Sequence, residues 1–365
     1  MPPVFDLDAA RKEAFAARLL DWFSANMRPL PWRETYDPYS VWISEIMLQQ
    51  TQMERGVAYF NRWMQTFPLV ASVAEADEDA VLKAWEGLGY YSRARNLHKA
   101  AKQIMRDFGG VFPRDIGDIR SLPGVGEYTA GAIAAIAFNQ PEVAVDANVM
   151  RIFARICDID VPRTHPGVKA FIADAVRSLM PAGSSRLFAQ ALMELGALVC
   201  AKKPDCLSCP LIDYCEAHRL GTEAKRPKKK QKVVYSSLEM STGIIMKDGL
   251  LFIQKRPPYG VWAGLWEFPG GCLEEGESPE EALVREVAEE TELPVAIRDK
   301  MAVIQHSYTT CRVTMHAFSC DLLDMDKLPV LHAAVAGKWI RPEETAEYAF
   351  PAGHRKLLDR LGWGK

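Results

Sequence analysis

The sequence predicts a multi-domain chain, with an all-α domain followed by an α/β domain, and three observations carry that expectation. From about residue 10 to 215 the apolar residues recur at helical spacing, with breaks at Pro, Gly or Asp. Lys225-Arg226-Pro227-Lys228-Lys229-Lys230-Gln231-Lys232 then places six cations in eight residues, with a proline and no apolar side chain. Beyond it the texture changes to short β-rich runs around one charged helical stretch.

In the first part, helices are expected at Ala14 to Phe23, Val41 to Phe60, Asp79 to Leu88, Ala94 to Asp107, Ala130 to Phe138, Val149 to Cys157 and Gly167 to Met180. The lysine-rich stretch reads as a linker, either a solvated hinge or a hinge that also touches phosphates. In the second part, strands are expected at Thr242 to Ile245, Leu250 to Lys255, Ala302 to His306 and Val313 to Cys320, with a helix at Pro279 to Glu292.

A chain of 365 residues exceeds what one hydrophobic core usually organises, and 48% apolar with 25% charged residues is ordinary globular composition. Met1 to Ala10 shows no cationic stretch followed by an apolar run, so a cytosolic protein without a membrane partner is expected. The formal charge of -3 divides unevenly. Residues 1 to 232 hold 30 Lys/Arg against 27 Asp/Glu, and residues 233 to 365 hold 14 against 20. Phosphate binding depends on local clustering, so this balance neither establishes nor excludes a nucleic-acid partner.

Eight cysteines in a cytosolic chain point to metal chemistry and away from disulfides. Cys200, Cys206, Cys209 and Cys215 follow the pattern Cys-x5-Cys-x2-Cys-x5-Cys, stiffened by Pro204 and Pro210. Zinc and a [4Fe–4S] cluster both accept four cysteines. Zinc usually draws its ligands as two Cys-x2-Cys pairs, and the single tight pair here favours the cluster. Cys157, Cys272, Cys311 and Cys320 are isolated and read as buried free thiols.

Leu122-Pro123-Gly124-Val125-Gly126 precedes a small-residue helix from Tyr128. Two glycines at a helix start bring backbone N–H groups close to a phosphate, although such a turn alone is weak evidence. Asp146 lies twenty residues beyond Gly126, where an isolated Asp before a helical run also serves as an N-cap. Glu45 sits in Val41-Trp42-Ile43-Ser44-Glu45-Ile46-Met47-Leu48-Gln49-Gln50-Thr51-Gln52. Apolar neighbours desolvate such a carboxylate and raise its pKa, which suits a general acid; the competing reading is a helix salt bridge.

These residues together resemble the endonuclease III/MutY superfamily, and the chain resembles its MutY family of adenine-excising DNA glycosylases over nearly its whole length. The cysteine loop resembles the family's C-terminal cluster loop, one residue shorter in the first gap. The Glu45 string resembles the motif in which a glutamate precedes a double glutamine, and Asp146 stands where the superfamily carries its catalytic aspartate. Tyr128 stands where bifunctional relatives have a Schiff-base lysine, so a monofunctional glycosylase is implied. Leu88-Gly89-Tyr90-Tyr91-Ser92-Arg93 looks like the segment whose first tyrosine wedges beside an oxidised guanine.

The resemblance implies a helix-hairpin-helix glycosylase domain over residues 1–220, with a [4Fe–4S] loop at 200–215. It further implies a basic linker over 221–234 and a Nudix-like 8-oxoguanine recognition domain over 235–365. The implied reaction is hydrolysis of the N-glycosidic bond of adenine opposite 8-oxoguanine or guanine in double-stranded DNA, in base excision repair, by a monomer at the nucleoid. Glu45 would protonate the extruded adenine and help activate water, while Asp146 shelters the cationic sugar, with Tyr128 and Asn148 beside them. Arg33 and Gln190 match pocket positions, Gln50 and Tyr90 match duplex wedges, and Leu122, Gly124 and Gly126 form the hairpin.

Gly271-x5-Glu277-x7-Arg285-Glu286-Val287-Ala288-Glu289-Glu290-Thr291-Glu292-Leu293 looks like a Nudix box, complete except that Glu292 replaces the usual glycine. Glu286, Glu289 and Glu290 fall on one helix face, as a magnesium site needs. That leaves an alternative or additional activity, Mg²⁺-dependent pyrophosphatase action on an oxidised nucleoside triphosphate. His306-Ser307-Tyr308-Thr309-Thr310 occupies the neighbourhood of the family's Phe-Ser-His loop, where Tyr308 replaces the aromatic wedge and Thr309 keeps a hydroxyl. A non-enzymatic DNA-binding protein is disfavoured, because Glu45 and Asp146 are both retained.

Overall fold

The helix that organises the first part is the one with the least amphipathic sequence. Glu127–Phe138 is rich in Ala and Gly, and its residues from Thr129 to Ala137 are all buried in the computed structural model, which describes residues 5–228, 236–308 and 311–363. A helix apolar on every side belongs in the middle of a domain. It packs against Pro38–Met47, Ile116–Ser121 and Ser185–Leu198. Gly131 is required there, because an added Cβ would lie 2.5 Å from the Val143 carbonyl oxygen. Ala9–Asn26, Ala147–Ile156, Val168–Leu179 and Ser185–Leu198 enclose a second apolar cluster around Phe15, Phe153 and Phe188.

The expected helix from Val41 to Phe60 is two helices, Pro38–Met47 and Met53–Thr66. The break follows from Gln50, whose φ of 60° is left-handed and cannot continue a right-handed helix. Aspartates cap several helix starts. Asp8, Asp37, Asp115 and Asp146 each accept a backbone N–H from the first turn.

The chain divides into two compact units, one of residues 1–75 and 96–231, the other of 76–95 and 232–365. The second unit therefore takes a helical segment from within the first part of the chain. Glu86 in this segment accepts from the Phe350 backbone N–H at 2.9 Å and pairs with Arg355 at 2.9 Å, and Asp79 pairs with Lys255 at 2.6 Å.

The second unit is built on a mixed six-stranded sheet of β1 (Ser236–Lys247), β2 (Leu250–Lys255), β3 (Trp266–Glu267), β4 (Val295–Tyr308), β5 (Cys311–Leu322) and β6 (Ala336–Ile340). The order is β3-β2-β1-β5-β4, with β6 also on β2, and only β1 and β5 run parallel. Both sheet faces are covered. Ile244, Leu251 and Ile253 join Leu357 and Leu358 of Ala352–Leu361 on one side, while Ile245 and Phe252 meet Leu283 and Val287 of Pro279–Thr291 on the other. Neighbours in sequence face opposite layers, as strand alternation requires. No helix among the described residues is long and apolar enough to cross a membrane.

Candidate active site

The helical unit contains a cavity of about 540 Å³ lined by Arg33, Glu45, Gln50, Tyr128, Asp146, Asn148 and Gln190, together with Arg28, Trp32 and Glu194. Seven residues singled out in the sequence, spread over more than a hundred positions, thus share one chamber. Glu45 reaches it from Pro38–Met47, Tyr128 from the first turn of Glu127–Phe138, and Asp146 and Asn148 from the start of Ala147–Ile156.

Glu45 is 8% exposed, and its Oε2 accepts a hydrogen bond from the Tyr128 hydroxyl at 2.9 Å. Burial pushes its carboxyl up to about 7; the Asp146 charge adds to the rise, while the Tyr128 donor and the Arg33 guanidinium oppose it. A carboxyl poised near neutrality delivers and recovers a proton at physiological pH. The desolvation expected from the sequence is therefore present. The Tyr128 hydroxyl is raised in turn, by its own burial and by the neighbouring carboxylates, so it remains a donor.

Asp146 is held differently. Oδ1 accepts the Val149 backbone N–H at 2.7 Å, which makes Asp146 the N-cap of its helix, and Oδ2 accepts the Asn148 side-chain amide at 2.8 Å. Burial raises its pKa and these donors oppose the rise. Asn148 accepts from Arg151 at 2.8 Å, and Arg151 also donates to the carbonyls of Gly196 and Cys200 at 2.7 Å. Gly196 is obligatory, because an added Cβ would come within 2.4 Å of Asn148 Cβ.

The cavity lining also carries an ion network centred on the buried Glu194. Arg33 donates to Gln190 Oε1 at 2.7 Å and to Glu194 Oε1 at 2.6 Å, while Arg28 donates to Glu194 Oε2 at 2.8 Å. Removing one member would strand a buried charge, so the network holds Gln190 in place. Arg28, Glu194 and Arg151 escaped the sequence reading. Glu194 carried a usable signal, since it follows Gln190 by four residues on one helix face.

The hairpin stands apart from this cavity. Gly124 has φ of 77°, and an added Cβ would lie 2.7 Å from Asn96 Cβ, so glycine is required. Gly126 is the N-cap of the helix that carries Tyr128, with φ of -84° and open space where a Cβ would stand. Leu122 is buried and its carbonyl accepts the Val125 N–H at 3.0 Å. Tyr90 belongs to the other unit, 42% exposed with φ of 48°, beside Gly260 and Trp262. Tyr308 ends β4, and Thr309 lies outside the described residues.

Cys200, Cys206, Cys209 and Cys215 line one small pocket with Arg155 and His218. Cys200 Sγ accepts from Arg155 Nη1 at 3.2 Å, Cys209 receives the Leu211 backbone N–H, and Cys215 receives those of Ala217 and His218. Burial pushes the Cys209 thiol up to about 12 and Cys215 to about 11, and the crowded sulfurs raise one another. Four partly buried cysteines around one small pocket, with N–H donors trained on three of the sulfurs, fit a shared metal group that stabilises thiolates. Of the other cysteines, Cys157 and Cys320 are buried as expected, whereas Cys311 is partly exposed and Cys272 exposed. Cys272 lies outside the named strands, in an isolated bridge to Met240.

On the Nudix-like helix, Ser278 and Glu281 form a capping box and Arg285 pairs with both oxygens of Glu277 at 2.8 Å. Glu292 takes the left-handed conformation of the missing glycine, with φ of 54°, and pairs with His332 at 2.9 Å and Lys327 at 3.3 Å. Two of the three helix carboxylates share Arg285, and the third turns elsewhere. Glu290 accepts from Gln254 at 2.7 Å and from the Gly270 N–H at 3.0 Å, while Arg285 pairs with Glu286 at 3.1 Å and with the exposed Glu289 at 3.3 Å. Among the described residues they do not form a set of donors close enough to share one ion.

The fold and the comparisons agree. Residues 43–176 match the family described as HhH-GPD superfamily base excision DNA repair protein, and residues 241–360 match the NUDIX domain. A thermostable thymine-DNA glycosylase structure aligns with 58% of this chain and all of its own at 30% identity and TM-score 0.53. A trapped endonuclease III–DNA covalent intermediate aligns with 59% of this chain and 99% of its own at 22% identity and TM-score 0.51, which shows the fold alone. The class is therefore a DNA glycosylase of base excision repair. The Mus musculus adenine DNA glycosylase is 31% identical over 96% of this chain and 78% of its own length. This chain belongs to the adenine DNA glycosylase family.

Proposed function

We propose that the enzyme releases adenine paired with 8-oxoguanine or guanine in double-stranded DNA, as a monofunctional glycosylase, with the 540 Å³ cavity receiving the extruded base. The observation that carries this reading is Glu45, a buried carboxyl poised at about 7 in the same chamber as Asp146. Glu45 donates its proton to the adenine ring and, once ionised, accepts one from the incoming water. Asp146 faces the cationic deoxyribose, with Asn148 holding its carboxylate. Tyr128 brings no amine, so strand cleavage through a Schiff base is not available. Arg33 and Gln190 line the base pocket, while Gln50 and Tyr90, both left-handed non-glycine residues, serve as duplex wedges. The Leu122–Gly126 hairpin binds backbone phosphate, and Tyr308 and Thr309 contact the oxidised guanine. The enzyme works as a cytoplasmic, nucleoid-associated monomer.

Cys200, Cys206, Cys209 and Cys215 would hold a [4Fe–4S] cluster. Such a cluster would crosslink the loop and supply the positive charge that four thiolates require.

Base release from duplexes holding A opposite 8-oxoG, A opposite G and T opposite G tests the substrate. Adenine release from the first two is expected. Thymine release without adenine release would overturn the assignment, and comparing the two adenine mispairs measures how far Tyr308 and Thr309 discriminate.

Mg²⁺-dependent hydrolysis of an oxidised nucleoside triphosphate is a second reading, favoured by the preserved left-handed turn at Glu292. The engagement of Glu286 and Glu289 by Arg285, and of Glu290 by Gln254, weighs against it. Pyrophosphate release from 8-oxo-dGTP by the full chain with Mg²⁺ or Mn²⁺ decides it, and no turnover retires the idea.

A further inference from the structure

Cys206 differs from the other loop cysteines in what surrounds its sulfur. Cys200, Cys209 and Cys215 receive N–H donors; among the described residues Cys206 Sγ receives none. Its neighbours are instead an imidazole and a carboxylate. Cys206 Sγ, a ring nitrogen of His218 and a carboxylate oxygen of Glu223 all lie within 4.8 Å of one another. His218 Nδ1 and Glu223 Oε2 are buried and have no hydrogen-bond partner. Burying such atoms without a partner is costly, and the two side chains that carry them converge beside one thiol.

The chemistry of the three groups narrows the choice of a common partner. A carboxylate next to a sulfur opposes thiolate formation, which is the reverse of the N–H donors on the other three cysteines. A divalent cation resolves the conflict, because it accepts the imidazole lone pair, the carboxylate and the thiolate together. Sulfur, nitrogen and oxygen donors in a set of three, with a fourth position for water, suit zinc.

We propose that the loop has a second metal-binding mode, in which Cys206, His218 and Glu223 hold one zinc-type divalent cation. Binding releases the Cys206 thiol proton to solvent as the sulfur–metal bond forms. Cys206 is common to this set and to the four-cysteine set, so the two modes exclude one another, and zinc at this position competes with cluster assembly. The site does not depend on which base the enzyme excises.

The test is Co²⁺ titration of the full chain after anaerobic removal of iron with a chelator, followed by displacement with Zn²⁺. One Co²⁺ per chain is expected, with a charge-transfer band of single-thiolate strength that Zn²⁺ abolishes. Loss of an outer-shell partner alone weakens metal affinity roughly 10–100-fold, so His218→Ala and Glu223→Gln should each cost at least that much. Glu223→Asp keeps a carboxylate and should cost less, and Cys209→Ser and Cys215→Ser should leave Co²⁺ binding intact. Circular dichroism of each variant confirms that it is folded. Failure to bind Co²⁺, affinity unchanged in His218→Ala and Glu223→Gln, or binding lost in Cys209→Ser would each overturn the proposal. Iron content of the untreated His218→Ala protein should match the parent; a fall would put His218 on the cluster and equally overturn a separate site.

Discussion

The Tyr128 hydroxyl donates to Glu45 Oε2 at 2.9 Å, joining the helix that begins at the glycine hairpin to one 83 residues earlier in the chain. The bond runs against burial. Desolvation drives the carboxyl upward, the hydroxyl restrains it, and the resulting value of about 7 places Glu45 within reach of both protonation states.

Glu45→Gln keeps the size of the side chain and an oxygen for Tyr128 but has no proton to give. Binding to DNA holding adenine opposite 8-oxoguanine is expected to match the parent, with base release slowed roughly 10²–10⁴-fold, the usual worth of a general acid. Parent-like single-turnover release in this variant would remove Glu45 from the chemistry.

The same residue links stability to pH. The Glu45 carboxyl titrates at about 7 in the folded protein against an ordinary 4.5, so the neutral form is the one that folding favours. That stability is fully present below 4.5 and is lost as pH rises through about 7. Glu45→Gln carries no such loss. Its thermal midpoint should therefore gain on the parent between pH 4.5 and 8, by an amount on the order of 3 kcal/mol at the upper end. A constant gap across that window would contradict the buried carboxyl.

Tyr128→Phe removes the donor that lowers the Glu45 pKa. The alkaline limb of base release should move to higher pH. An unmoved limb would show that Tyr128 does not govern the proton on Glu45.

Asp146→Asn separates two roles of one side chain. Asn caps helices about as well as Asp, so stability should change by less than about 1 kcal/mol. Losing the negative charge should lower base release by roughly 10²-fold or more. A variant that unfolds while the rate per folded molecule persists would make Asp146 a cap only.

Gly196→Ala places a methyl 2.4 Å from Asn148 Cβ. Overpacking of this kind costs about 1–3 kcal/mol and should displace Asn148 from Asp146, so base release falls. Gly126→Ala serves as the comparison, since its φ of -84° and open surroundings accept a methyl. Equal melting of the two variants would argue against tight packing at Asn148.

The active-site chamber was largely legible because its members are types whose chemistry shows in their neighbours. An acid among Trp42, Ile43 and Met47 reads as desolvated, and an Asp ahead of a helical run reads as a cap. Residues that act through partners left little trace. Arg28 and Arg151 look like any surface cation until Glu194 and Asn148 are brought beside them. The break at Gln50 was equally hidden, because an apolar periodicity runs through it and only the backbone dihedral interrupts the helix.

By itself the sequence determined the change of fold class along the chain, the four-cysteine loop and the pair of carboxyls, since spacing and local polarity act over a few residues. The tertiary structure alone decided that residues 76–95 pack with the sheet unit, that Glu290 pairs with Gln254, and that His218 and Glu223 meet at Cys206. Those outcomes depend on distances between segments, and one-dimensional order does not contain them.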